Sequence, residues 1–243
     1  MALKRTRVGM LTPSSNTVLE PCVSAMLHEL PDITAHFQRF TVKEISLGGR
    51  AQAQFANQSL VDAAKLLNDA RMDVIVWAGT AAGWRGFDVD RKLCEEITAV
   101  TGAPATSSVL ALNEVLERTG IRRLGLVTPY LDEVQAQIVG NYTTAGHDVV
   151  CERHLGDRGN FSFSEYEGDT IANMIREVAK EKPEAVVILC TNFRGAPLVP
   201  ALERELGIPL YDSISVTVWK ALTMTGHSPS RVAGWGRLFA ELH

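Results

Sequence analysis

The chain has 243 residues, 46% of them hydrophobic and 21% charged, with a formal net charge of -4. That length can bury an ample core in one large domain or two small ones, and the composition is that of a soluble globular protein rather than a disordered or fibrous one. The slight acidity offers no basic footprint for nucleic acid, which removes a polyanion partner from the expectation.

At the start, MALKRTRVGM is basic, but the apolar run after it breaks at Thr12-Pro13 before an export signal could form. The longest apolar runs, such as Ala185 to Cys190, fall far short of the roughly 18 residues of a membrane span. A cytoplasmic protein with no membrane partner is expected. Along the chain, short apolar runs alternate with longer segments of helical period, the pattern of βαβ units and a parallel sheet. Strands are predicted from Arg7 to Leu11, Ile33 to Phe40, Asp73 to Ala78, Arg123 to Val127, Asp148 to Glu152, Ala185 to Leu189 and Ile208 to Leu210. Helices are predicted from Leu19 to Leu30, Gln58 to Ala70, Asp88 to Val100, Val109 to Arg118, Leu131 to Ala145, Ser164 to Glu181, Pro197 to Leu206 and Ser215 to Thr225.

The chain also repeats itself. Arg7-Val8-Gly9-Met10-Leu11-Thr12-Pro13 matches Arg123-Leu124-Gly125-Leu126-Val127-Thr128-Pro129, and Asp73 to Thr80 matches Glu184 to Thr191. Trp84-Arg85-Gly86 matches Phe193-Arg194-Gly195, and Gly102-Ala103-Pro104 with Ser107-Ser108 matches Gly207-Ile208-Pro209 with Asp212-Ser213. Matches in one consistent order point to duplication. The expected fold is α/β, with two pseudo-symmetric, flavodoxin-like parallel-sheet lobes and a site in the cleft between them. The first lobe would comprise residues 1–105 plus 213–243, the second residues 106–212.

Each repeated signature falls just past the carboxyl end of a predicted strand, the edge where open parallel sheets bind ligands. Pseudo-symmetry then sets Gly79 opposite Cys190. A thiol on each wall would permit proton exchange at both faces of a carbon; here one wall has a thiol and the other has no side chain. The remaining cysteines, Cys22, Cys94 and Cys151, have no C-x-x-C spacing and read as packing residues in a reduced protein. The six histidines form no H-x-x-x-H pair, so no metal is expected. Leu47-Gly48-Gly49-Arg50 lacks the Lys-Ser/Thr of a phosphate loop. Asn16 suits a helix cap as well as a ligand grip.

Pro13-Ser14-Ser15-Asn16-Thr17, Cys190-Thr191-Asn192 and the tail Gly234-Trp235-Gly236-Arg237-Leu238-Phe239 resemble the aspartate/glutamate racemase superfamily, in its branch of maleate cis-trans isomerases and arylmalonate decarboxylases. The resemblance covers nearly the whole chain. It implies a cofactor-independent, metal-free enzyme acting on a small carboxylate, in a superfamily that often forms homodimers. Racemases and isomerases of that group use two cysteines, and the position of the first is Gly79 here. The decarboxylases have Gly-Thr at the first site and one cysteine at the second, as do Gly79-Thr80 and Cys190.

By resemblance, Cys190 would be the proton donor, and the Thr80 and Tyr130 hydroxyls, with backbone N–H groups near Cys190 and Thr191, would hold the oxyanion. Pro13, Ser14, Asn16, Gly79, Ala81, Asn160 and Thr191 would line the substrate. Ala81 replaces a serine of the decarboxylases, whereas Ser14, Asn16 and Asn160 follow the isomerase pattern of carboxylate binding, which suits a small polar diacid. Decarboxylation of a malonate-type acid is the favoured expectation. Maleate isomerisation or a racemase-like reaction is the alternative, and a non-catalytic small-acid-binding protein the third.

Overall fold

The computed structural model describes residues 5–48 and 57–243. Gly49 and Arg50 of the glycine-containing run lie outside the described residues. Among the described residues, eight strands form two four-stranded parallel sheets. The first contains β1 (Thr6–Pro13), β2 (Ile33–Phe40), β3 (Val74–Trp77) and β4 (Ala105–Ser107), in the order β2-β1-β3-β4. In the second, β5 (Arg123–Thr128), β6 (Asp148–His154), β7 (Ala185–Ile188) and β8 (Leu210–Asp212) take the order β6-β5-β7-β8. The central strands β3 and β7 are buried along their whole length, as continuous apolar runs in a parallel sheet covered on both faces should be.

The helices are α1 (Leu19–Met26), α2 (Asn57–Asn68), α3 (Ala82–Arg85), α4 (Phe87–Thr101), α5 (Ser108–Thr119), α6 (Asp132–Thr144), α7 (Gly168–Ala179), α8 (Val199–Leu206), α9 (Ser213–Met224) and α10 (Arg237–Glu241). None of them is long and apolar enough to cross a membrane.

The duplicated sequence signatures have duplicated structural reasons. Gly9 and Gly125 sit at equivalent points of β1 and β5, where a side chain lies close over each: Met72, just before β3, and Val178, at the end of the helix Gly168–Ala179. A Cβ on Gly9 would come within 2.8 Å of Met72 Cγ, and one on Gly125 would overlap Val178. Ser107 and Asp212 end β4 and β8 as N-caps of α5 and α9, accepting from Leu110 N–H at 3.1 Å and Ile214 N–H at 2.8 Å. The serines that follow reach the last carbonyls of the neighbouring central strands: Ser213 Oγ donates to Ile188 O at 3.0 Å, Ser108 Oγ to Trp77 O at 3.5 Å.

Three departures from the sequence reading have simple causes. Ala105-Thr106-Ser107 has no apolar run to mark it, yet it pairs with β3 through Trp77 as β4. The strand expected from Ile208 to Leu210 is displaced to Leu210–Asp212, because pairing starts where Val186 meets Leu210. The long helix expected from Ser164 begins as a 3-10 turn, Ser162–Glu165, breaks at the extended Tyr166 and restarts at Gly168.

Helix α9 follows the second sheet in sequence but lies on α5 and β3 of the first, with a hydrogen bond between the Thr217 and Ser108 hydroxyls at 2.6 Å. A second crossing joins the lobes above the strand ends. Glu44 forms an antiparallel bridge with Gly159, in which Ile45 N–H donates to Arg158 O at 2.9 Å and Asn160 N–H to Lys43 O at 3.4 Å.

Candidate active site

The carboxyl ends of β1, β3, β5 and β7 meet between the two sheets, where twelve residues line a cavity of about 20 Å³. Pro13, Val42, Ile45, Trp77, Gly79, Thr80, Ala81 and Trp84 come from the first half of the chain. Tyr130, Asn160, Cys190 and Thr191 come from the second. The space holds about one water.

Three reactive groups are connected across it. Thr80 Oγ1 and the Tyr130 hydroxyl share a hydrogen bond of 2.7 Å, and the Tyr130 hydroxyl is also bonded to the Cys190 thiol. Tyr130 is pinned in place by aromatic edges, with Trp84 at 5.2 Å and Phe163 at 5.5 Å between ring centroids. Burial raises its phenol well above the ordinary range, helped by the neighbouring thiol and opposed by Thr80, so it stays protonated.

Cys190 is carried two residues past the end of β7 and is buried. Burial pushes its thiol up to about 12, against the pull of Tyr130 and of the Asn192 N–H, which donates to Sγ at 3.4 Å. A thiol held there keeps its proton at neutral pH.

The wall at Gly79 is different. Trp77 and Gly79 point to one side of the chain end that leaves β3, and the Trp77 indole lies over Gly79. A Cβ built on Gly79 would stand 2.7 Å from Cε2 and closer still to Cζ2 and Cη2 of that indole. The ring is buried and braced by Phe40, 5.1 Å away between centroids in an edge arrangement.

Asparagines frame the cavity and tie the halves together. Asn16 accepts from Val18 and Leu19 N–H at 3.0 and 2.9 Å, capping α1, and donates to Thr191 O at 3.1 Å and Thr191 Oγ1 at 3.2 Å. Thr191 Oγ1 donates in turn to Ala78 O at 3.1 Å. Asn192 accepts from Thr17 N–H at 2.9 Å and donates to Asn160 O at 2.5 Å, while Asn160 Nδ2 donates to Ser15 Oγ at 2.8 Å. Cap and tie are therefore one side chain in Asn16.

A family profile described as arylmalonate decarboxylase matches residues 8–239. The chain belongs to the arylmalonate decarboxylase family. It is thus an enzyme of decarboxylase or isomerase type in the aspartate/glutamate racemase superfamily. Among its relatives, arylmalonate decarboxylase of Bordetella bronchiseptica is 25% identical, with 96% of each chain covered. A maleate isomerase of Geobacillus stearothermophilus is also 25% identical, over 90% of this chain and 91% of its own. Of the solved structures, the Nocardia farcinica maleate cis-trans isomerase with a covalently bound succinylcysteine intermediate superposes with a TM-score of 0.87 at 26% identity, covering 96% of this chain and 98% of its own. The maleate isomerase Iso of Pseudomonas putida S16 shares the fold with a TM-score of 0.89 at 24% identity, covering 99% and 100%.

Of the residues singled out in the sequence, Pro13, Gly79, Thr80, Ala81, Tyr130, Asn160, Cys190 and Thr191 line the cavity of this family member. Ser14 and Asn16 stand one layer back: Ser14 Oγ donates to Val42 O at 3.3 Å, and Asn16 reaches the cavity through Thr191. The tail motif lies elsewhere, with Arg237 N–H donating to Glu203 at 2.8 Å beside α8. Trp77, Val42, Ile45 and Trp84 escaped the sequence reading. For Trp77 a signal existed, since it lies two residues before Gly79 in an extended run and so shares its face.

Proposed function

We propose that this chain decarboxylates a small malonate-type diacid without a cofactor, through an enediolate that Cys190 protonates on one face. The reading is supported by a buried Cys190 thiol that lines the same cavity as Gly79, a residue with no group able to take or give a proton.

Loss of CO2 from a malonate needs no base. The carbon–carbon bond to one carboxylate breaks, its electron pair passes into the remaining carboxylate, and an enediolate is left. The Thr80 and Tyr130 hydroxyls would donate to that developing charge, each such donor being worth about 10²- to 10³-fold in rate. The Cys190 S–H then delivers its proton to carbon, giving the monoacid, and the thiolate takes a proton back from solvent. Burial makes that thiolate costly, so it is short-lived. Thr191 and Asn160, steadied by Asn16 and Asn192, would orient the carboxylate that stays.

A second reading, isomerisation of maleate, is favoured by the polar frame of Asn16 and Asn160 and by the maleate isomerases among the relatives. Cys190 would then have to act without a partner thiol. The two readings separate in one experiment: incubation with malonates and with maleate in D2O, followed by proton NMR. A monoacid carrying deuterium supports decarboxylation; fumarate replaces it with isomerisation, and no turnover of either acid defeats both.

A further inference from the structure

We propose that Trp77 is the specificity-determining residue of this site: its indole occupies the volume that a side chain at residue 79 would need, and so restricts the substrate to malonates with a hydrogen or a small substituent. Two observations carry this. The indole overlaps any Cβ placed on Gly79, and Trp77 lines the same cavity as Cys190. Gly79 is therefore more than a missing thiol. The space beside it is already filled, and the ring that fills it cannot swing freely because Phe40 braces it from the side.

The proposal rests on the decarboxylase reading for its choice of ligand, but its geometry is independent of turnover. It also predicts that Gly79→Cys alone does not create a second protonating wall, because the added Cβ meets the Trp77 ring. The indole would have to be cut back first.

The test combines Gly79→Ala with Trp77→Leu, and with Trp77→Phe as a milder change should the first fold poorly. In the wild-type background Gly79→Ala is expected to lower Tm by about 5 °C, the scale of overpacking in a chain of this size. With Trp77 shortened, the same change should cost less than half as much. Calorimetric binding of malonate and phenylmalonate to the folded Trp77 variants should show a relative gain for phenylmalonate of roughly tenfold over wild type. Equal Tm losses in both backgrounds, or an unchanged preference between the two acids, overturns the proposal. Failure of the decarboxylase reading has a different signature: the Tm effects are non-additive and binding shifts as expected, yet no malonate loses CO2 in any of the proteins.

Discussion

Asn16 holds Thr191 from across the cleft, donating to its carbonyl oxygen at 3.1 Å and its hydroxyl at 3.2 Å, while its own carbonyl oxygen caps α1. Asn16→Ala removes the cap and both ties, so it should destabilise the protein by about 2–4 kcal/mol. Asn16→Asp keeps the acceptor for the helix start but sets a buried carboxylate oxygen against the Thr191 carbonyl, and should cost at least as much at neutral pH. Urea denaturation of the two variants separates the contributions.

Cys190→Ala should lower kcat by about 10²- to 10⁴-fold, the usual worth of a positioned acid, while leaving the fold intact. The pH profile is a sharper check. With the thiol pushed up to about 12, activity should show no loss from Cys190 ionisation between pH 6 and 9. A fall in kcat centred near pH 8 that vanishes in Cys190→Ser would contradict that account.

Tyr130→Phe removes the hydroxyl shared by Thr80 and Cys190 and should reduce kcat by about 10²- to 10³-fold. Thr80→Val should act in the same direction, and the double variant should lose less than the product of the two, because one hydrogen-bonded unit is being dismantled. Steady-state rates for the four proteins suffice.

Thiol labelling reads burial directly. Cys22, Cys94 and Cys190 are buried, and burial also raises each of their pKa values; Cys151 on β6 is half-exposed. In native protein at pH 8, Cys151 should be alkylated first and the others only on unfolding, as peptide mass spectrometry of a time course would record.

Two buried carboxyls give the stability a pH slope. Asp90 and Asp212 each have their pKa raised from 3.8 to about 7, chiefly by burial, and each keeps one buried oxygen without a hydrogen-bond partner among the described residues. Between about pH 4 and 7 the folded chain retains protons that the unfolded chain has released, so stability falls as pH rises through that window. Each group contributes up to about 4 kcal/mol of loss. Asp90→Asn should therefore raise Tm at pH 8, change little at pH 4 and flatten the curve between them.

The sequence made the paired sheets readable because β3, β7 and their neighbours are apolar runs and because the signatures recur in order. Cys190 is legible for the same reason, lying past a strand end in the second copy, whereas Tyr130 enters only through the family resemblance. The three-residue β4 is not legible, since its pairing with Trp77 is supplied by the fold rather than by its own side chains. Nor is the bridge from Glu44 to Gly159, a single contact between distant segments with no periodic trace. Position 79 shows the difference most clearly: the string reports a glycine, whereas the folded chain reports a tryptophan standing in its place.

That bridge bears on access to the cavity. Val42, Ile45 and Asn160 line a space with room for about one water, and the Glu44–Gly159 crossing ties together the two segments that carry them. Any ligand larger than a water molecule therefore needs the lining to spread before it can sit beside Cys190.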